Sequence, residues 1–253
     1  MPRQLYIVTG ASRGMGAAIA DRLLAGADRT LLCISRRSND SLAAKAAKVG
    51  AICEQWTMNL AEPIAVAARL EACLDALAAN DFASASLINN AAMLTPVGAL
   101  ERSTSAELSA ALRASLEAPL LLTAAFLRAT ASWPGRRRVL NISSGLGRRG
   151  MAGQAAYCAA KAGMDNLSRA VALDQAELAR GAKIVSLAPG VIDTDMQTAL
   201  RGAASEGFPE QAAFLRLKET GQLTSSRDAA ARVIAYLERS DFGAAPVADV
   251  RDA

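Results

Sequence analysis

The feature that most constrains the fold is a glycine-rich turn lying between a short apolar segment and a helical pattern. Residues 5–9 (LYIVT) are apolar and β-branched, which predicts a buried strand, and residues 17–25 have helical periodicity. The turn itself, GASRGMG, permits a tight bend and lets backbone and helix N-terminus approach a pyrophosphate. We therefore expect these residues to hold a dinucleotide: Gly10, Ser12, Arg13, Gly14, Met15 and Gly16.

The second predicted strand ends in basic residues. Thr30–Ser35 is followed by Arg36 and Arg37, at the point where an acidic residue would accept the ribose hydroxyls of NAD. Guanidinium groups suit a 2′-phosphate, and Arg13 stands in the glycine turn nearby. The cofactor predicted from these residues is NADP(H).

The rest of the chain alternates between short apolar segments and helical patterns. This alternation predicts an α/β fold, a Rossmann-type doubly wound parallel sheet between two layers of helices. With no linker or repeat, we expect one domain over residues 1–253. The further predicted strands are Ala51–Trp56, Ser86–Asn89, Val139–Ile142, Lys183–Leu187 and a short one within Ala244–Val250.

The sequence also predicts several features of individual helices and of the segments between them. The pattern predicts that one helix has a buried stripe formed by Ile64, Leu70, Leu74 and Leu77. A second helical region, Ala106–Thr130, has Leu112, Leu116, Leu120 and Leu127 on one side. Pro63 should begin a helix and Pro119 should break one. Ser226 is expected to cap the last helix, and Arg136–Arg138 to be a solvated charge run before its strand. Residues 195–223 are predicted to form a helical segment that closes over a site.

Polar residues follow several of the predicted strands directly. Asn89 and Asn90 end one strand, Ser144 follows another, and Pro189-Gly190 follow a third. Ligands in parallel α/β sheets bind beyond the carboxyl ends of the strands. These residues and the glycine turn should therefore meet at one edge of the sheet.

A tyrosine and a lysine stand four residues apart in an alanine-rich helical stretch. Tyr157 and Lys161 would share one helix face, about one turn apart. An ammonium group at that distance should lower the pKa of the phenol from its usual value of about 10 and prepare it for proton transfer. A solvated Tyr and Lys would be the ordinary interpretation of the pair in isolation.

Composition excludes several classes of function. The sequence has no histidine, which removes a Ser-His-Asp triad and any histidine-bearing metal site, so no metal is expected. A net charge of +4 and few aromatic residues argue against nucleic acid. Four cysteines without CxxC spacing indicate reduced thiols. With no long apolar run or leader segment, we expect a cytoplasmic protein without a membrane partner.

The motifs together resemble those of the short-chain dehydrogenase/reductase family. The turn glycines, Asn89-Asn90-Ala91, Ser144, the Tyr157/Lys161 pair and Pro189-Gly190 stand in that family's order. The resemblance implies that Tyr157 donates or accepts a proton, Ser144 binds the substrate oxygen, and Lys161 holds the nicotinamide ribose. It further implies cofactor contacts at Arg36, Asn59, Leu60, Asn90, Ala91, Pro189, Gly190, Ile192 and Thr194.

A narrower likeness is to the sepiapterin reductase and benzil reductase branch, carried by INNAA, APLLLT, NISSG, AYCAAKAGMD, APGVIDTDMQ and DVRD. That branch reduces vicinal dicarbonyls with NADPH. Three positions depart from the family pattern. Ser115 replaces an asparagine that supports a proton-relay water, Asn59 replaces an aspartate at the adenine, and Ala92 replaces a glycine.

Other functions remain open at this stage. They are a ketoreductase for carrier-bound acyl groups, an alcohol dehydrogenase, a sugar-nucleotide epimerase, a methyltransferase, and a non-catalytic NADP(H) sensor. A basic patch at Arg148 and Arg149 would suit an acidic carrier, or would be solvated surface. The resemblance also implies a homodimer or homotetramer formed through residues 106–130 and 153–180, acting on a small-molecule carbonyl substrate.

Overall fold

A parallel seven-stranded sheet forms the centre of the protein in a computed structural model that describes residues 2–203 and 208–252. The strand order is β3-β2-β1-β4-β5-β6-β7, and every neighbouring pair is parallel. The strands are β1 Arg3–Thr9, β2 Arg29–Ser35, β3 Ile52–Thr57, β4 Phe82–Asn89, β5 Arg136–Ile142, β6 Lys183–Ala188 and β7 Val247–Asp249.

Helices cover both faces of the sheet. The described α-helices are α1 Gly14–Leu23, α2 Asp40–Val49, α3 Pro63–Asp75, α4 Ser105–Leu112, α5 Ala118–Ala129, α6 Ala155–Ala176, α7 Asp195–Gly202, α8 Gln211–Glu219 and α9 Ser226–Glu238. One apolar core joins the sheet to α1, α2 and α9, and a second joins its other face to α3 and α5, with part of α6 packed against it. The single three-layer α/β unit predicted from the alternation of strands and helices is confirmed.

The helix ends follow local sequence signals. Pro63 begins α3 as predicted, and Thr104 with Glu107 forms a capping box at α4. The cap of α9 is Ser225, whose hydroxyl accepts the N–H of Asp228, one residue before the predicted Ser226. A π-helical segment, Arg113–Glu117, separates α4 from α5. Pro119 lies just after it, so the predicted break occurs in the turn preceding the proline.

One expectation about burial was wrong. Ile64 is 73 % exposed, because the buried side of α3 is formed by Val66, Ala67, Leu70 and Leu74. Leu112 and Leu120 are also exposed, because Leu122, Ala125 and Phe126 form the inner side of the second helix pair.

The arginines of residues 136–138 belong to β5 and are not a solvated run. Arg137 is 7 % exposed and its guanidinium donates to the carbonyl of Arg180. Arg138 donates to the carbonyls of Leu237 and Arg239. Long side chains of this kind can bury their stems along a strand while their charged ends bind backbone carbonyls, so a charge run alone does not exclude a strand.

The helical region Ser105–Ala129 is long and apolar enough, by length and composition only, to cross a membrane. Core helices meet the same criterion, and α5 packs its apolar side against α3. The cytoplasmic location expected from the sequence stays a prediction. In the part of the chain that the structure describes, no group of three or more His, Cys, Asp or Glu side chains is arranged to hold a metal ion.

Candidate active site

The glycine turn between β1 and α1 is shaped by backbone conformations and a contact that favour glycine. Gly10 and Gly14 have φ values of 71° and 57°, in the region that L-residues rarely adopt. A Cβ on Gly16 would lie 2.1 Å from the carbonyl oxygen of Gly10. Arg13 is the N-cap of α1 without a side-chain cap hydrogen bond, and the first turn holds no acidic residue. The helix N-terminus is therefore available to an anion.

Thr9 holds this turn in place through hydrogen bonds, and the sequence did not identify it as a site residue. Its hydroxyl accepts the backbone N–H groups of Asn90 at 2.9 Å and Ala91 at 3.0 Å. The Asn90 side-chain amide donates to the Thr9 carbonyl at 2.9 Å. Asn90 and Ala91, both predicted cofactor contacts, thus lie directly against the glycine turn. A polar residue ending an otherwise apolar strand is the signal that would have indicated Thr9.

The other predicted adenine-side residues lie near the carboxyl ends of β2 and β3. Arg36 is exposed directly after β2, and Leu60 is buried after β3. Asn59 is exposed, with its side-chain oxygen accepting the N–H of Ala61. Arg13 forms an exposed ion pair with Asp195 at 2.5 Å. The arginine predicted to bind a 2′-phosphate is therefore paired with an acidic residue of α7.

Ser144 and Tyr157 meet at the carboxyl end of β5. Ser144 caps a short 3-10 turn, Gly145–Gly147, and its Oγ accepts the N–H of Leu146 at 3.2 Å. Tyr157 lies in the first turn of α6, where it is buried next to Ser144. Burial raises the pKa of Tyr157 to about 12, while the neighbouring Ser144 hydroxyl opposes this rise. The expected lowering of the phenol pKa is therefore wrong for the chain alone, because desolvation outweighs the opposing effect of Ser144.

Lys161 lies beneath Tyr157 and is 2 % exposed. Its Nζ is 5.6 Å from the centroid of the tyrosine ring and donates to the Ile142 carbonyl at 2.6 Å. Burial lowers the pKa of Lys161 to about 8, and the charge of Asp165 raises it in part. The predicted pairing on one helix face is present, and the interpretation of a solvated pair does not apply.

A buried carboxylate behind Lys161 was missed by the sequence analysis. Asp165 Oδ1 accepts the hydroxyls of Ser143 and Ser186, each at 2.6 Å. Arg148 lies 3.6 Å from its Oδ2 and also binds the carbonyl of Ala248. Arg148 is thus tied to the protein interior and does not form a free basic patch. The spacing of four between Lys161 and Asp165 was the available signal.

Ser115 lies in the π-helical segment and is fully enclosed. Its hydroxyl accepts the N–H of Met93 at 2.9 Å and donates to the Met93 carbonyl at 3.4 Å. These contacts fix the loop after β4. The predicted relay role of Ser115 stays a prediction.

The residues after β6 lead into the segment predicted to cover the site. Gly190 has a φ of 84°, and Ile192 forms an isolated parallel bridge with Thr224. Thr194 is the N-cap of α7, and Pro189 lies at the end of β6. Residues 204–207 of the predicted covering segment lie outside the described residues.

An apolar cluster joins this segment to the neighbourhood of Tyr157. Its buried members, Met151, Leu200 and Phe208, pack with Leu146 and with Cys158, the residue after Tyr157. Phe208 stacks on Phe214 with ring centroids 5.7 Å apart. Apolar side chains from both sides of the site therefore pack together beside the tyrosine.

These features fit a bound dinucleotide. Three features form a phosphate cradle at the carboxyl edge: the close approach of Gly16 to the Gly10 carbonyl, the α1 N-terminus without a side-chain cap, and the positive φ of Gly10 and Gly14. The Ser144, Tyr157 and Lys161 group lies at the same edge of the sheet. Fold and site together define a Rossmann-type dinucleotide-binding protein.

Comparisons with known proteins identify the family. The short chain dehydrogenase family model matches residues 4–204. The chain is 35 % identical over 236 residues to a Bacillus cereus benzil reductase ((S)-benzoin forming), covering 93 % of this chain and 94 % of that one. A benzil reductase of Bacillus subtilis (strain 168) is 32 % identical with the same coverage. The chain therefore belongs to the short chain dehydrogenase family, and it is an oxidoreductase that binds a nicotinamide cofactor.

Solved structures agree with this assignment. A short-chain dehydrogenase/reductase from Burkholderia vietnamiensis is 35 % identical with a TM-score of 0.67, covering 99 % of this chain and 98 % of that one. A metagenomic short-chain oxidoreductase in complex with NADP is 26 % identical with a TM-score of 0.68, covering 95 % and 93 %.

Proposed function

We propose that the protein is an NADPH-dependent reductase of ketones, with vicinal aromatic dicarbonyls such as benzil as its substrate class. The observation that carries this proposal is the group of Ser144, buried Tyr157 and buried Lys161 at the edge of the sheet that carries the glycine turn, next to an apolar cluster. The benzil reductases among its relatives support the same substrate class.

The phenol of Tyr157 is the proton donor. With its pKa raised to about 12 it keeps its proton at neutral pH, which is the form that carbonyl reduction needs. When bound, the nicotinamide cofactor supplies the hydride. As charge grows on the substrate oxygen, Ser144 Oγ–H donates a hydrogen bond to it and Tyr157 transfers its proton there. Two pre-placed donors on one developing oxyanion make this arrangement effective.

Lys161 has two tasks in this proposal. Its ammonium holds the nicotinamide ribose, and its positive charge near the ring stabilises the tyrosinate left after proton transfer. Arg13 and Arg36 bind the 2′-phosphate, which favours NADP(H) over NAD(H). The remaining cofactor contacts are those expected from the family pattern, from Gly10 to Thr194.

The apolar cluster supports an aromatic substrate rather than a carrier-bound or sugar substrate. Leu146 and Met151 on one side and Leu200 and Phe208 on the other offer no charged partner to a polar substrate. Arg148, the residue expected to attract an acidic carrier, is engaged by Asp165 and Asp249.

The experiment crosses NADPH and NADH with benzil, sepiapterin, a simple ketone and a sugar, following cofactor oxidation. The proposal expects NADPH with benzil to give the highest kcat/KM. Arg36→Gln should reduce that preference for NADPH, and Arg37→Gln, at the neighbouring exposed position, is the matched control. If none of the carbonyl compounds caused oxidation of NADPH or NADH, the proposal would be contradicted.

We also propose that the protein is a homodimer or homotetramer formed through α4, α5 and α6. Leu112, Leu120 and Leu173 are exposed on these neighbouring helices, and a second copy would cover them. Light scattering should give a mass of at least twice the 26.2 kDa chain. Leu120→Lys should lower that mass, and Ile64→Lys, on the exposed side of α3, should not.

A further inference from the structure

A group of polar side chains lies at the amino-terminal ends of the central strands, opposite the edge that carries Tyr157. In the parallel register Gln4 pairs with Ser84, and Ser84 pairs with Arg136. Two residues further along, Tyr6 pairs with Ser86, and Ser86 pairs with Arg138. Residues two apart on a strand share a face, so these six side chains form two adjacent rows on one face of the sheet.

A cavity of about 260 Å³ lies over these rows. Its other lining residues are Arg29 from β2, and Leu237 and Glu238 from the end of α9. Ser84 and Ser86 are 8 % and 3 % exposed, and both line the cavity. Each serine side chain therefore brings a hydroxyl group to the lining of the cavity.

The charge of the lining is positive. Three guanidinium groups, from Arg29, Arg136 and Arg138, face one carboxylate, Glu238. Asp28 Oδ1, outside the lining, lies 3.3 Å from the buried Nε of Arg29 and neutralises part of its charge. The lining therefore carries a net positive charge.

Two of the arginines are held in place before any ligand arrives. Arg29 Nη1 donates to the Tyr6 hydroxyl at 2.6 Å and to Gln4 Oε1 at 3.0 Å. Arg138 is fixed by the carbonyls at the end of α9 and lies over the ring of Phe242. Burial lowers the pKa of Arg138, and repulsion from Arg136 lowers it further. An anion between the two guanidiniums would remove that repulsion.

We propose that this cavity, which lies apart from the candidate active site, binds a small phosphate monoester or inorganic phosphate. Planar guanidinium groups match the geometry of phosphate oxygens, and serine hydroxyls complete such sites. The volume holds a phosphoryl group with a few further atoms and is too small for a dinucleotide. The proposal does not depend on which carbonyl compound the enzyme reduces.

The test is a calorimetric titration of the full chain with inorganic phosphate and glycerol 3-phosphate at constant ionic strength. Arg136→Gln should weaken phosphate binding about tenfold, the usual effect of losing one charged hydrogen bond. Ser86→Val should do the same by filling the floor of the cavity. Arg136 is exposed, so its replacement leaves the core unchanged, and benzil reduction should keep its wild-type rate.

The glycine turn is the competing phosphate site, and Arg36→Gln separates the two. The proposal expects phosphate binding to be unchanged in Arg36→Gln and to be weakened about tenfold in Arg136→Gln. Loss in Arg36→Gln with retention in Arg136→Gln would overturn it, as would retention in both variants. Equal binding of succinate would overturn the assignment to phosphate, because the cavity would then select only for charge.

Discussion

At the residue scale, Tyr157 and Lys161 are both buried and both displaced toward their neutral forms. The pKa of the phenol is raised to about 12 and that of the ammonium is lowered to about 8. Sequence spacing predicted their proximity, which needs only helical geometry. It could not predict the direction of the tyrosine shift, because that depends on how completely the fold removes water from both groups.

The pH dependence of NADPH binding should report the ionisation of Lys161. Below pH 8 the lysine is charged and can hold the ribose, so the Kd for NADPH should be constant. Above that pH the free protein must take up a proton to bind, and the Kd should rise by up to about tenfold per pH unit. Fluorescence titration measures this, and Lys161→Met should remove the inflection. The same inflection in that variant would contradict the assignment.

The charge of Asp165 should affect the pH at which that inflection occurs. Its negative charge raises the pKa of Lys161, so Asp165→Asn should move the inflection to lower pH. Asparagine can still accept the hydroxyls of Ser143 and Ser186, which limits structural damage. Asp174→Asn, at an exposed position of the same helix, is the matched control. An unshifted inflection in Asp165→Asn would show that this carboxylate is structural only.

At the element scale, the glycine turn could be predicted from the sequence because its conformational requirements are local. A positive φ at Gly10 and Gly14 and the close approach at Gly16 follow from residues next to one another in the chain. Which faces of α3 and α5 are buried was harder to predict from the sequence. Ile64 and Leu120 continue an apolar periodicity yet are exposed, since tertiary packing chooses which side of an apolar helix is covered.

Gly16→Ala should abolish tight NADPH binding. The new Cβ would lie 2.1 Å from the Gly10 carbonyl oxygen, so the turn must shift and the phosphate cradle with it. We expect the Kd for NADPH to rise at least about tenfold, with a loss of about 1–3 kcal/mol of stability from overpacking. Gly202→Ala is the control, because a Cβ there meets no other atom of the described residues within 4 Å. Unchanged affinity in Gly16→Ala would argue against phosphate binding at this turn.

At the scale of the whole molecule, parallel topology explains why distant motifs could be gathered from sequence alone. Each motif follows a strand, and parallel strands share one carboxyl edge. The contacts between distant segments were not predictable in the same way. Arg13 and Asp195 are 182 positions apart, and neither residue type nor local pattern indicates that they form an ion pair.

That ion pair should compete with NADPH for Arg13. Asp195→Asn frees the guanidinium, so the Kd for NADPH should fall while the Kd for NADH stays unchanged. Both side chains are at least 70 % exposed, and exposed pairs contribute at most about 1 kcal/mol, so the gain should be about two- to fivefold. Asp228→Asn, at an acidic residue in the first turn of α9, is the control. Equal gains for NADH and NADPH would show that Arg13 does not contact the 2′-phosphate.

The most direct measurement is benzil-dependent NADPH oxidation by Tyr157→Phe, together with the Kd of that variant for NADPH. Phenylalanine keeps the ring and removes only the hydroxyl group that would donate the proton. We predict that the variant binds NADPH as the wild type does and that kcat falls at least about a hundredfold, the usual contribution of general acid catalysis. A kcat near the wild-type value would contradict the role of Tyr157 as proton donor, and with it the proposed mechanism.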